Sequence, residues 1–393
     1  MGSASTELLR LALVVEAAER CQAPDEAAYW LLKWLNHSLT LPVSATGASP
    51  LMAQNTLSPF ASLDVILGRL RPAKANVVFA ALSRFAAQDW LVGSYLMVLT
   101  AAVLLGDGPR RSIALTMLLV DSAIYWGCML VARSDVGARL RPVADLLYRF
   151  ALIGGVVATF LQLHYILPAA SHVGLDAQIY HLDLAVFGFE PSMSWDRYVT
   201  PATTEWFSFF YYSYFFILSL FVIPMGLFER RVRILSELSF GLLFVVCVGH
   251  CLYLLVPGRG PYLHLGGQFQ HSLSGGFWWP LVSKAVTSVD GSLRTDIFPS
   301  LHTACPTFLT LFSFRNRAHK PYRYIWPVAA FFTSQIILAT MFLRWHYLAD
   351  ICAGLTLATT AFLLSSRVVR AEARDRVARS LGAVWRPLFV QPR

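Results

Sequence analysis

After residue 89, apolar residues gather into eight runs separated by polar turns rich in arginine, glycine and proline. The runs lie at 90–106, 113–132, 146–169, 206–228, 235–256, 302–314, 325–343 and 347–365. Most approach the roughly 20 residues that carry a helix across a bilayer. Hydrocarbon forces a chain to satisfy its backbone polar groups internally, which a helix does. The pattern therefore predicts an all-α, polytopic transmembrane helical bundle of about eight spans. The run at 302–314 is short and starts in a polar motif, so its start is expected in protein rather than lipid.

Residues 1–89 hold no comparable run. Positions 5–20 and 26–41 read as amphipathic helices, and 42–59, rich in Ser, Ala, Pro and Gly, as a loop. This part reads either as a cytoplasmic membrane-surface segment or as a small packed cap. Residues 8–15 are apolar, but Arg10 interrupts them and Glu16, Glu19 and Arg20 follow, unlike a cleavable signal peptide. The expected division is this segment, transmembrane helices at 90–170, a helical core at 171–366 and a basic tail at 367–393.

Composition agrees with a membrane protein. The 393 residues are 56% hydrophobic and 14% charged, where a soluble domain carries roughly 25%. The net charge of +9 does not point to nucleic acid, because the basic residues sit in short loops and the tail, with no nucleic-acid motif. Cys21, Cys128, Cys247, Cys251, Cys305 and Cys352 show no metal-ligand spacing and read as small core residues. The loop Glu229-Arg230-Arg231-Val232-Arg233, the turn from Arg315 to Arg323 and the tail with its seven arginines are basic. By the positive-inside rule these faces, and both termini, are cytoplasmic. Segments 171–205, 257–301 and 344–346 then lie outside, as does the Arg110-Arg111 turn, which departs from the rule. The external stretch 176–205 carries Tyr180, Phe187, Phe189 and Trp195. It reads either as a headgroup-layer segment bordering a lipid entrance or as a connecting loop with aromatic anchors.

Two polar motifs stand where loops meet apolar runs: Phe298-Pro299-Ser300-Leu301-His302 and Arg344-Trp345-His346-Tyr347-Leu348-Ala349-Asp350. Two crossings fit between them, so both return to one membrane face. His346 and Asp350 are four apart, a spacing that on a helix puts a carboxylate beside an imidazole. An imidazole can cleave a phosphate ester if three needs are met. A carboxylate must aim it, a second group must protonate the leaving oxygen, and fixed donors must meet the phosphoryl charge. His346, Asp350, His302 and Arg344 suit nucleophile, orienting base, general acid and phosphate donor. Arg259, in Pro257-Gly258-Arg259-Gly260-Pro261, offers a second donor, and Ser300 with the helix start after it a third. No carboxylate cluster suits a metal, and none is expected.

These motifs resemble the membrane branch of the type-2 phosphatidic acid phosphatase superfamily. Pro299, Ser300 and His302 match its second motif, Arg344, His346 and Asp350 its third, and Arg259 with Pro261 part of its first. The usual phosphatase signature has a lysine where this chain has Leu252 and a glycine where it has Leu301, and its third-motif arginine stands further from the histidine. Pro-Ser-Leu-His with His-Tyr-x-x-Asp is similar instead to the branch containing inositol phosphorylceramide synthase and related bacterial proteins. Residues 184–188 and Tyr211-Tyr212-Ser213-Tyr214-Phe215 resemble that branch too. The resemblance covers roughly 176–365 and implies a six-helix core. It further implies a phosphohistidine on His346, Asp350 orienting it, His302 as acid and then base, and Arg344 and Arg259 on phosphate, with no cofactor.

The expected function is a lipid phosphotransferase or phosphatase acting on a lipid phosphate or phosphodiester at the non-cytoplasmic face, with a lipid, sugar or water hydroxyl as acceptor. A simple lipid or polyprenyl phosphate phosphatase is the first alternative. A non-catalytic lipid transporter or flippase on the same fold is the second, since buried polar groups also serve transport paths. A serine-hydrolase triad of Ser300, His302 and Asp350 fits poorly, for Ser300 lacks a nucleophile elbow. Asp121, His164 and His250 lie inside apolar runs and are read as hydrogen-bonded bundle residues, and His264 and His271 stay outside the site.

Overall fold

The computed structural model describes residues 81–134, 141–171, 174–287 and 295–386. The two amphipathic helices and the loop expected within 1–59 lie outside these residues.

The described chain is helical. Three long helices come first: α1 (Ala87–Leu105), α2 (Arg111–Arg133) and α3 (Arg141–Ala170). Short elements α4 (Asp176–Phe187), α5 (Pro191–Trp195) and a 3₁₀ turn at Asp196–Tyr198 lead into α6 (Pro201–Phe228) and α7 (Val232–Leu255). A second connecting segment holds α8 (Pro261–His264) and α9 (Trp278–Thr287), and α10 (Leu301–Arg315), α11 (Tyr322–Phe342) and α12 (Leu348–Ala378) finish the bundle. Among the described residues, seven of these are long and apolar enough to cross a membrane: α1, α2, α3, α6, α7, α11 and α12. They point to an integral membrane protein. The eighth expected span, α10, has only 15 residues, roughly 22 Å of helix. The outward faces carry Ile124, Leu161, Leu220 and Phe331 exposed, the surface a lipid-facing bundle presents.

Helix α7 is the shared wall of two cores. One of its faces joins α1, α2 and α3 around Leu96, Leu118, Tyr125 and Leu152. The other joins α6, α10 and α12 around Tyr214, Phe308, Phe312 and Ala358. Small residues allow the second contact: a Cβ at Gly249 would stand 2.5 Å from Leu301, at the start of α10. Helix α12 runs past residue 366 into the basic segment, where Val369 joins the core and Arg376 donates to the Arg84 carbonyl.

The Arg110-Arg111 turn has a local reason for its charge. Arg111 donates through Nε to the Val103 carbonyl at 3.0 Å and through Nη2 to that of Leu104, covering acceptors that α1 leaves open at its end. His250 is fully buried, its Nδ1 2.7 Å from the Tyr95 hydroxyl, which itself donates to Thr159. It ties α7 to α1 and α3 instead of reaching the histidine motifs.

Candidate active site

Three stretches distant in sequence meet at one end of the bundle, joined first by backbone. Gly258 pairs with Asp296 in an isolated bridge. The Tyr262 N–H donates to the Arg344 carbonyl at 2.7 Å, and the Ser300 N–H to the Asp350 carbonyl at 3.1 Å. Gly260 sits where the first stretch touches the third. Its φ of +84° suits glycine, and a Cβ there would stand 2.4 Å from the Trp345 carbonyl oxygen. Gly354 likewise lets α12 approach the Ser300 carbonyl, which a Cβ would meet at 2.6 Å.

The imidazole of His346 is held by Asp350, by a route other than the expected one. His346 precedes α12, Tyr347 is its N-cap, and Asp350 is the third helical residue. The Asp350 Oδ2 accepts from the Tyr347 N–H at 2.9 Å and lies 3.2 Å from His346 Nδ1. The pair meets because a carboxylate in the first turn folds back over the helix start, as in a capping box, and not because both residues share a helix face. With Nδ1 facing the carboxylate, a neutral ring carries its proton on Nδ1 and its lone pair on Nε2. Both residues are buried, Asp350 fully, and Asp350 Oδ1 makes no hydrogen bond among the described residues.

His302, the second residue of α10, stands with its ring centroid 6.3 Å from that of His346. It rests against Tyr211 at 4.3 Å, nearly parallel, and against Tyr214 at 4.2 Å, with Phe215 edge-on at 6.2 Å. The Tyr-Tyr-Ser-Tyr-Phe run of α6 is thus an aromatic wall that sets the plane of the second imidazole.

The expected phosphate donors separate. Arg344 is buried, with a left-handed φ of +69°. Its Nη2 donates to Asp196 Oδ1 at 2.7 Å and to the His271 carbonyl at 2.6 Å, and its plane lies 3.8 Å from the Phe269 ring. Its Nε is buried and makes no hydrogen bond among the described residues. Burial pulls the Arg344 guanidinium below its ordinary pKa, with Asp196 offsetting part of the loss. Arg259 has its backbone N–H at 2.8 Å from Asp176 Oδ1, while its side chain is exposed and makes no hydrogen bond among the described residues. Ser300 is fully buried and caps α10, its Oγ accepting from the Thr303 N–H at 3.3 Å.

Sequence reasoning missed the carboxylates that hold this arrangement. Asp176 accepts the N–H groups of Arg259 and Gly260, and Asp183 those of Leu348 at 2.7 Å and Ala349 at 2.8 Å. Burial raises the pKa of Asp183, and these two donors partly offset it. Asp196 takes the Gln270 N–H at 2.9 Å and His271 Nδ1 at 3.0 Å besides Arg344. Burial alone would raise Asp196, but the bonds from His271 and Gln270 and the charge of Arg344 hold it below the usual carboxylate range. A signal was available: Asp176, Ile179 and Asp183 recur at helical spacing and form the buried face of α4. Its other face leaves Leu182, Val186 and Phe187 exposed, so the segment taken for a headgroup helix or a plain loop is also a scaffold. His271, left outside the site, enters it through Asp196. Among the described residues, no three His, Cys, Asp or Glu side chains converge as a metal site would.

Residues 177–364 match the family model of the PAP2 superfamily. The match takes in both histidine motifs and Arg259, and it begins one residue after Asp176. It suggests a phosphatase-type or phosphotransferase-type enzyme acting on a phosphorylated substrate. No curated protein and no solved structure matches the chain.

Proposed function

We propose that the protein is a membrane-embedded enzyme that cleaves a lipid phosphate or phosphodiester through a phosphohistidine on His346. The 6.3 Å between the rings of His302 and His346 carries this reading, because it leaves room for one phosphoryl group between two imidazoles. His346 Nε2 attacks phosphorus, the bond to the leaving oxygen breaks, and His302 gives that oxygen its proton. Asp350 keeps the His346 proton on Nδ1 throughout. An acceptor hydroxyl then loses its proton to His302 and attacks phosphorus, and the phosphorus–nitrogen bond breaks. Arg344, through its unoccupied Nε–H, and Arg259 from the neighbouring loop meet the phosphoryl charge. Ser300 sets the helix start that points at the same space.

Transfer to a lipid or sugar hydroxyl fits the charge of the site better than hydrolysis of a phosphomonoester. Asp196 neutralises half of the cationic pair and Leu252 stands where the usual signature supplies a lysine. A singly charged phosphodiester needs less compensation than a doubly charged monoester. The basic loops at the opposite ends of the spans support a non-cytoplasmic site.

The test is purified protein in lipid vesicles with a panel of phospholipids and neutral hydroxyl lipids. Formation of a new phosphorylated lipid is expected, with release of inorganic phosphate as the hydrolytic outcome. His346→Ala abolishes either product. Unchanged turnover in that variant refutes the assignment, and lipid movement without bond cleavage favours a transporter.

A further inference from the structure

At the opposite end of α10 from His302, the chain turns towards α11 beside an open cavity of about 390 Å³ lined by Arg315, Arg317, Ala318 and Arg323. Thirteen residues of helix separate the cavity from His302, roughly 20 Å. It is therefore not part of the histidine site. Arg315 is preset there: Nη1 donates to the Phe362 carbonyl at 2.9 Å and Nη2 to Ser365 Oγ at 3.3 Å. Its Nε is buried without a hydrogen-bond partner among the described residues. Arg317 is set by its bond to the Phe314 carbonyl at 2.8 Å and by stacking 4.0 Å from the Phe314 ring. Arg233 and Arg370 stand close enough for their charges to act on Arg315.

Against this concentration of guanidinium groups the structure offers Glu237. That carboxylate is shared, 2.9 Å from Arg233 and 3.4 Å from Arg315. Arg323 and Arg370 make no ion pair among the described residues. Fixed like charges around a cavity repel one another, and a multiply charged anion relieves that repulsion. A phosphoryl group has the oxygens that several arginine forks can share. The cavity lies at the far ends of membrane-length helices, the level of a lipid headgroup. Basic pockets between transmembrane helices take acidic headgroups at this level.

We infer that this cavity binds the phosphoryl group of an acidic phospholipid from the leaflet opposite the histidine site. The inference does not depend on catalysis at His346. Full-length protein is reconstituted in phosphatidylcholine nanodiscs containing a minor fraction of phosphatidic acid, and retained lipid is read by native mass spectrometry. Wild type is expected to retain phosphatidic acid over phosphatidylcholine. The Arg317→Gln/Arg323→Gln double variant changes two side chains that anchor no other helix and should unfold at the wild-type temperature. It is expected to weaken retention by about fivefold per arginine, roughly 25-fold in all, with turnover unchanged. Equal retention by wild type and variant overturns the site, since lipid then sits elsewhere. Inorganic phosphate is also titrated calorimetrically into phosphatidylcholine nanodiscs. Phosphate binding that the double variant abolishes, without any preference for phosphatidic acid, overturns the lipid source.

Discussion

Nη2 of Arg344 donates a 2.7 Å hydrogen bond to Oδ1 of Asp196, a residue from the other side of α6 in the chain. Two positions before His346, a guanidinium is thus oriented by the segment between α4 and α6 and not by its own motif. The Nε of the same guanidinium is buried and makes no hydrogen bond among the described residues.

Asp196→Asn is expected to lower kcat/KM by roughly tenfold or more, the worth of a hydrogen bond to a charged group, through KM for the phosphorylated substrate. Its folded pKa is depressed, so the stability it contributes is complete above the unfolded carboxylate value of about 3.9 and is lost as pH falls through the lower folded value. Thermal unfolding across the acid range reads this directly. The asparagine variant should show a shallower loss below about pH 4, and an acid limb identical to wild type would contradict the clamp.

Asp183→Ala strips the acceptor from two N–H groups at the start of α12, the helix that carries Asp350. Losing a cap of this kind costs about 0.5–2 kcal/mol. The alanine variant should unfold at lower temperature and lose activity in proportion to the disorder it brings to His346. Asp183→Asn keeps one carbonyl oxygen and should fall between the two. Equal unfolding temperatures for all three proteins would show that the cap carries no stability.

Tyr214→Phe keeps the ring against His302, while Tyr214→Ala removes it. Aromatic contacts contribute about 0.5–1.5 kcal/mol beyond burial, and truncating a buried ring costs about 3–5 kcal/mol. The phenylalanine variant should retain most of its kcat. The alanine variant should lose both stability and kcat, and a normal kcat in a folded alanine variant would remove the ring from any part in positioning.

Gly260→Ala meets the Trp345 carbonyl and a backbone angle that side chains rarely adopt. It should destabilise the loop that bears Arg259 by at least about 1 kcal/mol, read as earlier unfolding and weaker substrate binding. Wild-type behaviour would mean the first and third stretches can part without consequence.

The helices were legible from local pattern. Long apolar runs between basic turns predict membrane-length helices because each such helix satisfies its own backbone. The seven long helices and the short α10 lie over those runs, with α12 continuing beyond its run to Ala378. The motifs that hold His302, His346 and Asp350 were also legible, since each is a short run of residues at the edge of an apolar stretch. The support around them was not. Asp183 and Asp196 hold His346's helix and Arg344 from more than a hundred residues away, and nothing near either acid in sequence names its partner.

The amino-acid sequence alone determined a helical membrane bundle and the two motifs that face one end of it, because hydrophobic length and residue chemistry are properties of short stretches. Only the tertiary structure decided that Asp350 reaches His346 from a helix cap, that tyrosines of α6 set His302, and that Arg344 is already engaged by Asp196. The first depends on where the helix begins, which residue spacing leaves open; the other two are contacts between separate elements, which exist only once the helices have packed and brought distant loops to the same place.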